Sequence, residues 1–258
     1  MKIAISGKGG TGKTTLAGVM ARILGDRGYK VIAIDADPDT NLASVIGIDE
    51  VQLKEITPLA MMKELIEERT GAKKDTYGTF FTLNPKVDDI PERFSIQKNN
   101  IKLIILGTIP QGGGGCFCPE NALLKSLLSH VLIERDEYII VDLEAGLEHM
   151  GRGTTAYIDA MIVVVEPGQR SFQTARQVKK LAADIGISRV YVVGNKVKDE
   201  TERDMIQKHL KDFSILGFMG YNEKVMEADK KGISPYDIDS HIRREVDDIL
   251  NALDHAMR

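Results

Sequence analysis

The sequence predicts an α/β fold: a single doubly wound, mostly parallel sheet of about seven to eight strands with helices on both faces. Three observations predict it. Short β-branched runs recur that are apolar throughout rather than alternating, as strands covered on both faces require. Stretches of helical periodicity separate them. The first strand also runs directly into the glycine-rich loop Gly7-Lys8-Gly9-Gly10-Thr11-Gly12-Lys13-Thr14 and then a helix, which puts function at the carboxyl ends of the strands.

Met1–Ser6 (MKIAIS) is the first strand, and Leu16, Val19, Met20, Ile23 and Leu24 mark a helix over 13–27. The loop between them has the spacing G-x-x-x-x-G-K-[ST] of the phosphate-loop (P-loop) NTPases. Unpaired backbone N–H groups and the positive end of a helix dipole converge there on an anion. Lys13 would contact the outer phosphates of a nucleotide and the Thr14 hydroxyl would ligate Mg²⁺. Gly9, Gly10, Thr11, Gly12, Lys13, Thr14 and Thr15 are the phosphate-binding set.

The second strand, 30–35 (KVIAID), ends in Asp35-Ala36-Asp37-Pro38-Asp39-Thr40-Asn41. Three acids at a strand end facing the loop suit the organisation of Mg²⁺ or an attacking water. A helical pattern covers 59–69. Residues 70–100 are polar, carry Gly71, Gly78, Pro85 and Pro91, and read as an insertion rather than a linker. Strand 102–107 (KLIILG) precedes the tetraglycine 112–115, Cys116-Phe117-Cys118 and a helix over 120–134. Strand 138–142 (YIIVD) has the Walker B form, so Asp142 would hold Mg²⁺ through water. Gly146 in the following Leu143-Glu144-Ala145-Gly146 is placed for a backbone contact to the γ-phosphate.

Strand 161–166, helix 171–184 and strand 190–194 follow, leading into Asn195-Lys196-Val197-Lys198-Asp199. This approaches the guanine-reading N-K-x-D, but Lys198 replaces the acid and cannot accept guanine's N–H groups. Asn195 can pair with adenine's amino group and N7, so ATP is expected over GTP. A helix over 202–211, a further strand at 214–220, the loop Gly220-Tyr221-Asn222 beside the adenine and a helix over 240–257 complete the chain.

At 258 residues with 43% hydrophobic content, one large domain over 1–258 is the natural reading, although two small ones would also fit. A net charge of −4 argues against a nucleic-acid or anionic-membrane surface. With no apolar run of membrane length and no signal peptide, the expected location is cytoplasmic. The C-terminal helix puts Ile242, Val246, Ile249, Leu250, Leu253 and Met257 on one face. Its other face mixes acids with arginines, as in a helix docked on its own core.

Cys116 and Cys118 are the only cysteines. In an extended stretch, residues i and i+2 point the same way, so two thiolates would grip one soft metal ion. Two ligands leave a tetrahedral site half made. A twofold dimer completes an S₄ site for Zn²⁺ or Ni²⁺, with Cu⁺ or an iron–sulfur cluster also fitting the donors. The plainer alternative is two small buried apolar side chains.

The stretch Lys8-Gly9-Gly10-Thr11-Gly12-Lys13-Thr14 resembles the deviant phosphate-loop ATPases, which include the nitrogenase iron protein, the MinD and ParA partitioning ATPases and metal-cluster maturation factors. The resemblance implies that Lys8 reaches the partner's nucleotide in an ATP-bridged homodimer. It also identifies the switch I form D-x-D-P-x-x-N, making Asp37 the carboxylate that orients water and Asp39 its neighbour. With Cys116-Phe117-Cys118 lying between the switch segments and Asp142–His149 (DLEAGLEH), the chain is most similar to the CooC-type accessory ATPases of carbon monoxide dehydrogenase. That similarity implies a dimeric MgATPase inserting or delivering nickel for this client, cycling between ATP and ADP. A MinD- or ParA-like spatial switch and a general iron–sulfur carrier ATPase are the alternatives, and neither partitioning form accounts for the cysteines.

Overall fold

The computed structural model describes residues 1–37, 40–54, 56–72, 80–107, 119–144 and 157–258. The strands are β1 (Lys2–Gly7), β2 (Val31–Ala36), β3 (Ile96–Lys98), β4 (Ile101–Ile105), β5 (Tyr138–Leu143), β6 (Ala160–Val165), β7 (Val190–Val197) and β8 (Ser214–Gly220). They form one sheet in the order β3-β4-β2-β5-β1-β6-β7-β8. Every neighbouring pair is parallel except β3 with β4. The expected doubly wound sheet is therefore present, with one antiparallel strand at its edge.

Alternation along each strand splits the core between the two faces. Ile32, Ile34, Ile139, Val141, Met161 and Val163 point to one side, where α6 (Pro119–Glu134) and α7 (Gln169–Asp184) cover them. Ile3, Ile5, Ala33, Leu103, Ile140 and Ile162 point to the other. There α1 (Lys13–Asp26) and α11 (Ser240–Ala256) close the layer. Ile242, Val246, Ile249, Leu250 and Leu253 of α11 are buried in that layer, and Met257 packs at its edge. The amphipathic stripe of the last helix is thus spent on its own core. Among the described residues no helix is long and apolar enough to cross a membrane.

Shorter elements fill the connections. They are α2 (Leu42–Ile46), α3 (Glu50–Lys54), α4 (Lys63–Thr70), α5 (Ile90–Arg93), α8 (Glu200–His209), α9 (Glu223–Lys231) and α10 (Pro235–Ile238). The stretch read as a polar insertion contributes structure to the sheet edge: Val87, Ile90 and Pro91 are buried, and β3 pairs with β4. Three apolar anchors among charges gave no period for a sequence reading to find.

Candidate functional site

The central strand β1 delivers the loop. Gly7 has φ 152°, and a Cβ there would lie 2.5 Å from the Val164 carbonyl oxygen, so the loop leaves the sheet at a point only glycine allows. Thr11 is buried and turns inward: its amide and hydroxyl both donate to the Lys8 carbonyl, at 3.2 and 2.8 Å. Gly12 stands at the helix N-cap in the left-handed region (φ 91°) and provides no capping side chain. The intrahelical ladder begins with the Leu16 amide donating to Gly12 O. The N–H groups of Lys13, Thr14 and Thr15 therefore keep the unpaired status of a helix first turn, an anion site without an anion-like side chain in it.

Two strand ends bring acids to this loop. Lys13 is 5% exposed and pairs with Asp37 at 3.4 Å. Asp35 and Asp142 are paired in register across β2 and β5, and both are fully buried. Burial pushes the Asp142 carboxyl up to about 7, with Thr14 and Lys13 pulling the other way. Thr14 lies beside Asp142, yet both Asp142 oxygens are buried without a hydrogen bond of acceptable geometry. Burial, with repulsion from Asp142, also raises Asp35 to about 7. Asp35, however, accepts the Leu42 amide at 3.0 Å and the Asp37 amide at 3.3 Å.

The orphaned Asp142 carboxylate answers whether the residues fit Mg²⁺. A buried acid with no donor is a large cost unless a cation completes it. Hard oxygen donors of this kind suit Mg²⁺. Asp142, Thr14 and Asp37 fit that ion.

On the other side of the loop, β7 extends through Asn195 and Lys196 to Val197, past the end its apolar run predicts. Lys196 takes a left-handed conformation (φ 57°) and breaks the register with β8. Its Nζ donates to the Gly10 carbonyl at 2.6 Å and lies 3.4 Å from Glu166. Asn195 donates its amide to Thr11 O at 2.7 Å and accepts from the Lys196 amide at 2.7 Å. A Cβ at Gly12 would come within 2.1 Å of Asn195 Nδ2. Asn195, expected beside adenine, spends its amide group bracing the phosphate loop.

One cleft of about 490 Å³ collects Gly9, Gly10, Gly12, Lys13, Thr14, Thr15, Asp37 and Asn195. Tyr221, Asn222, Val225, Met226, Ile233 and Pro235 also line it, together with Asp229 and Lys230. Thr11 and Asp142 lie buried outside the lining, and half-buried Lys8 stands outside it too. Cys116, Cys118, Asp39 and Gly146 lie outside the described residues. A larger cavity of about 600 Å³ between segment 81–88 and α6 shares no lining residue with the cleft. Sequence reasoning missed the bracing by Lys196 and the hydrogen bonding of Asp35. Both residues stood in quoted motifs, but a motif does not say which donor a side chain meets.

Relatedness agrees with this geometry. The sequence pattern of the CobQ/CobB/MinD/ParA nucleotide binding domain matches residues 2–236. The carbon monoxide dehydrogenase accessory protein CooC of Rhodospirillum rubrum is 45% identical, over 98% of this chain and 96% of its own length. The fold is shared with the MinD cell division protein of Aquifex aeolicus (TM-score 0.68, 18% identity, 99% of this chain and 97% of the other). It is shared equally with a ParA family ATPase of Chlorobium tepidum (TM-score 0.69, 19% identity, 98% of each chain). With a formed phosphate loop and strand-end carboxylates in place, the chain belongs to the CobQ/CobB/MinD/ParA family of ATPases, within the branch of the carbon monoxide dehydrogenase accessory proteins.

Proposed function

We propose that this protein is a homodimeric MgATPase that delivers or inserts nickel for carbon monoxide dehydrogenase, with ATP gating a thiolate metal site between two copies. The observation that carries the ATPase chemistry is the Lys13–Asp37 pair at 3.4 Å beside the unpartnered Asp142. The client is inferred from relatedness to the accessory protein of R. rubrum. We read residues 1–258 as one ATPase domain acting in the cytoplasm.

Lys13 is neutralised by Asp37 before nucleotide arrives. Terminal phosphates would give Lys13 a second anion, leaving the Asp37 carboxylate to orient the attacking water and take its proton. Mg²⁺ at Asp142 and Thr14 would offset phosphate charge. The backbone N–H groups of residues 13–15 fix the phosphates, and Asn195 and Lys196 keep the loop from spreading. Lys8, outside its own cleft, is the side chain available to a partner's nucleotide. Closure would bring Cys116 and Cys118 of each copy together as four thiolates for Zn²⁺ or Ni²⁺, and hydrolysis would release that cargo.

The test is metal stoichiometry and solution mass of the reduced protein, with and without MgATP. The expected result is one soft metal per dimer, held more tightly with nucleotide, and lost on joint Cys116→Ser and Cys118→Ser substitution. A metal-free protein that still dimerises with ATP would remove the metal site and return the partitioning function to the front.

A further inference from the structure

Asp35 is a buried acid to which the proposed chemistry assigns no part. It sits at the carboxyl end of β2, opposite Asp142, and is fully buried. Its two oxygens are used separately. Oδ1 accepts the amide of Asp37 at 3.3 Å, and Oδ2 accepts the amide of Leu42 at 3.0 Å. One carboxylate therefore holds Asp37, which follows β2 and pairs with Lys13, and Leu42, the first residue of α2.

The helix that Leu42 opens is firmly mounted. Arg22 donates to the Ile46 carbonyl at 2.7 Å while pairing with Asp237 at 2.7 Å. The Ser234 hydroxyl donates to the Val45 carbonyl. A Cβ at Gly18 would lie 2.4 Å from Val45, so α1 and α2 are in close contact. With α2 fixed along its length, the grip on Leu42 is anchored, and the same carboxylate grips Asp37.

We propose that Asp35 is a positioning residue for ATP hydrolysis: its carboxylate clamps residues 37 and 42 against the fixed helix α2 and so sets where Asp37 stands over Lys13. The inference rests on the assignment of Asp37 to the attacking water. It differs from that assignment in chemistry, because Asp35 is fully buried and lies outside the lining of the cleft. A carboxylate is required for this grip, since both of its groups are acceptors. An asparagine offers one acceptor oxygen and turns N–H groups toward the second amide.

The experiment compares Asp35→Asn with wild type in steady-state hydrolysis, ATP-analogue binding and melting. The expected result is a kcat lowered on the order of tenfold to a hundredfold, nucleotide affinity within about twofold, and a melting temperature not below wild type. The neutral amide loses one of the two amide hydrogen bonds but is spared the cost of a buried charge, and the second effect offsets the first. Wild-type kcat in the variant would overturn the clamp. So would a joint fall of kcat, affinity and melting temperature, the mark of a merely structural acid. Hydrogen exchange on the wild-type protein gives a second arm that needs no variant. The Leu42 amide should exchange slowly, and free exchange there would overturn the clamp. A wild-type protein that bound but did not hydrolyse ATP would sink the Asp37 assignment instead, while Leu42 protection would still report on the clamp.

Discussion

Asp35 and Asp142 face each other across adjacent strands, both fully buried and both pushed up to about 7. They differ in what their oxygens meet. Asp35 has two backbone amides, whereas no backbone amide reaches Asp142, whose oxygens meet only the Thr14 side chain beside them, without a hydrogen bond of acceptable geometry. Burying an acid is costly in either case; two backbone amides offset part of that cost for Asp35, and the neighbouring Thr14 and Lys13 side chains offset part of it for Asp142. On the proposed function, then, Asp35 serves the protein's own geometry and Asp142 is the acid proposed for Mg²⁺.

Replacing Asp142 tests this contrast most severely. Asp142→Asn should lose on the order of a hundredfold in turnover, because the donor proposed for Mg²⁺ is gone. The metal-free variant should nevertheless be more stable than wild type at about pH 8. The sign follows from the raised carboxyl. Its folded value of about 7 lies above the 3.8 of the free group. Wild type therefore loses stability as pH rises through that interval, and the amide does not. The gap between the two melting curves in EDTA should widen with pH and shrink in acid. A variant less stable than wild type throughout would mean that Asp142 supports the fold, and the contrast with Asp35 would fail.

A second prediction sharpens the same contrast through the ligand. If Mg²⁺ binds only the ionised Asp142, a proton must leave before the ion enters. Apparent Mg²⁺ affinity of the ATP complex should then fall by about tenfold per unit as pH drops below about 7. Titration calorimetry across that range reads the slope. A flat profile would show that Asp142 is ionised throughout and that its burial is not felt.

The fold was legible because its signals are local and repeated. The apolar runs of β1, β2, β5 and β6 leave little choice of structure, and the phosphate loop states its own spacing. What escaped was cooperative or short. α2 and α10 span five and four residues, too few for a period to show, and they are held by Arg22 and Ser234 from elsewhere in the chain. β3 forms on its pairing with β4 rather than on its own polar sequence. At the site, sequence named the residues that gather at the loop but not their partners. The acid cluster after β2 pointed to Asp37, and only the direction of two amides separates the role of Asp35 from it.

Asn195 puts the same criterion to its finest test. The N-K dipeptide suggested a residue that reads adenine, but its side chain donates to Thr11 O and accepts from Lys196. A polar group with its partners inside the protein belongs, by the logic of Asp35, to the scaffold. Asn195→Ala should then remove one buried hydrogen bond and leave the Thr11 carbonyl without its donor, a cost of about 1 kcal/mol. Nucleotide affinity should weaken by about fivefold for the same reason, and by the same factor for ATP and for GTP, since a loosened loop holds any triphosphate less well. A reader of adenine would behave otherwise: its loss would weaken ATP alone and bring the two nucleotides closer together. Competition binding with both nucleotides separates these outcomes, and a change confined to ATP would return Asn195 to the base pocket.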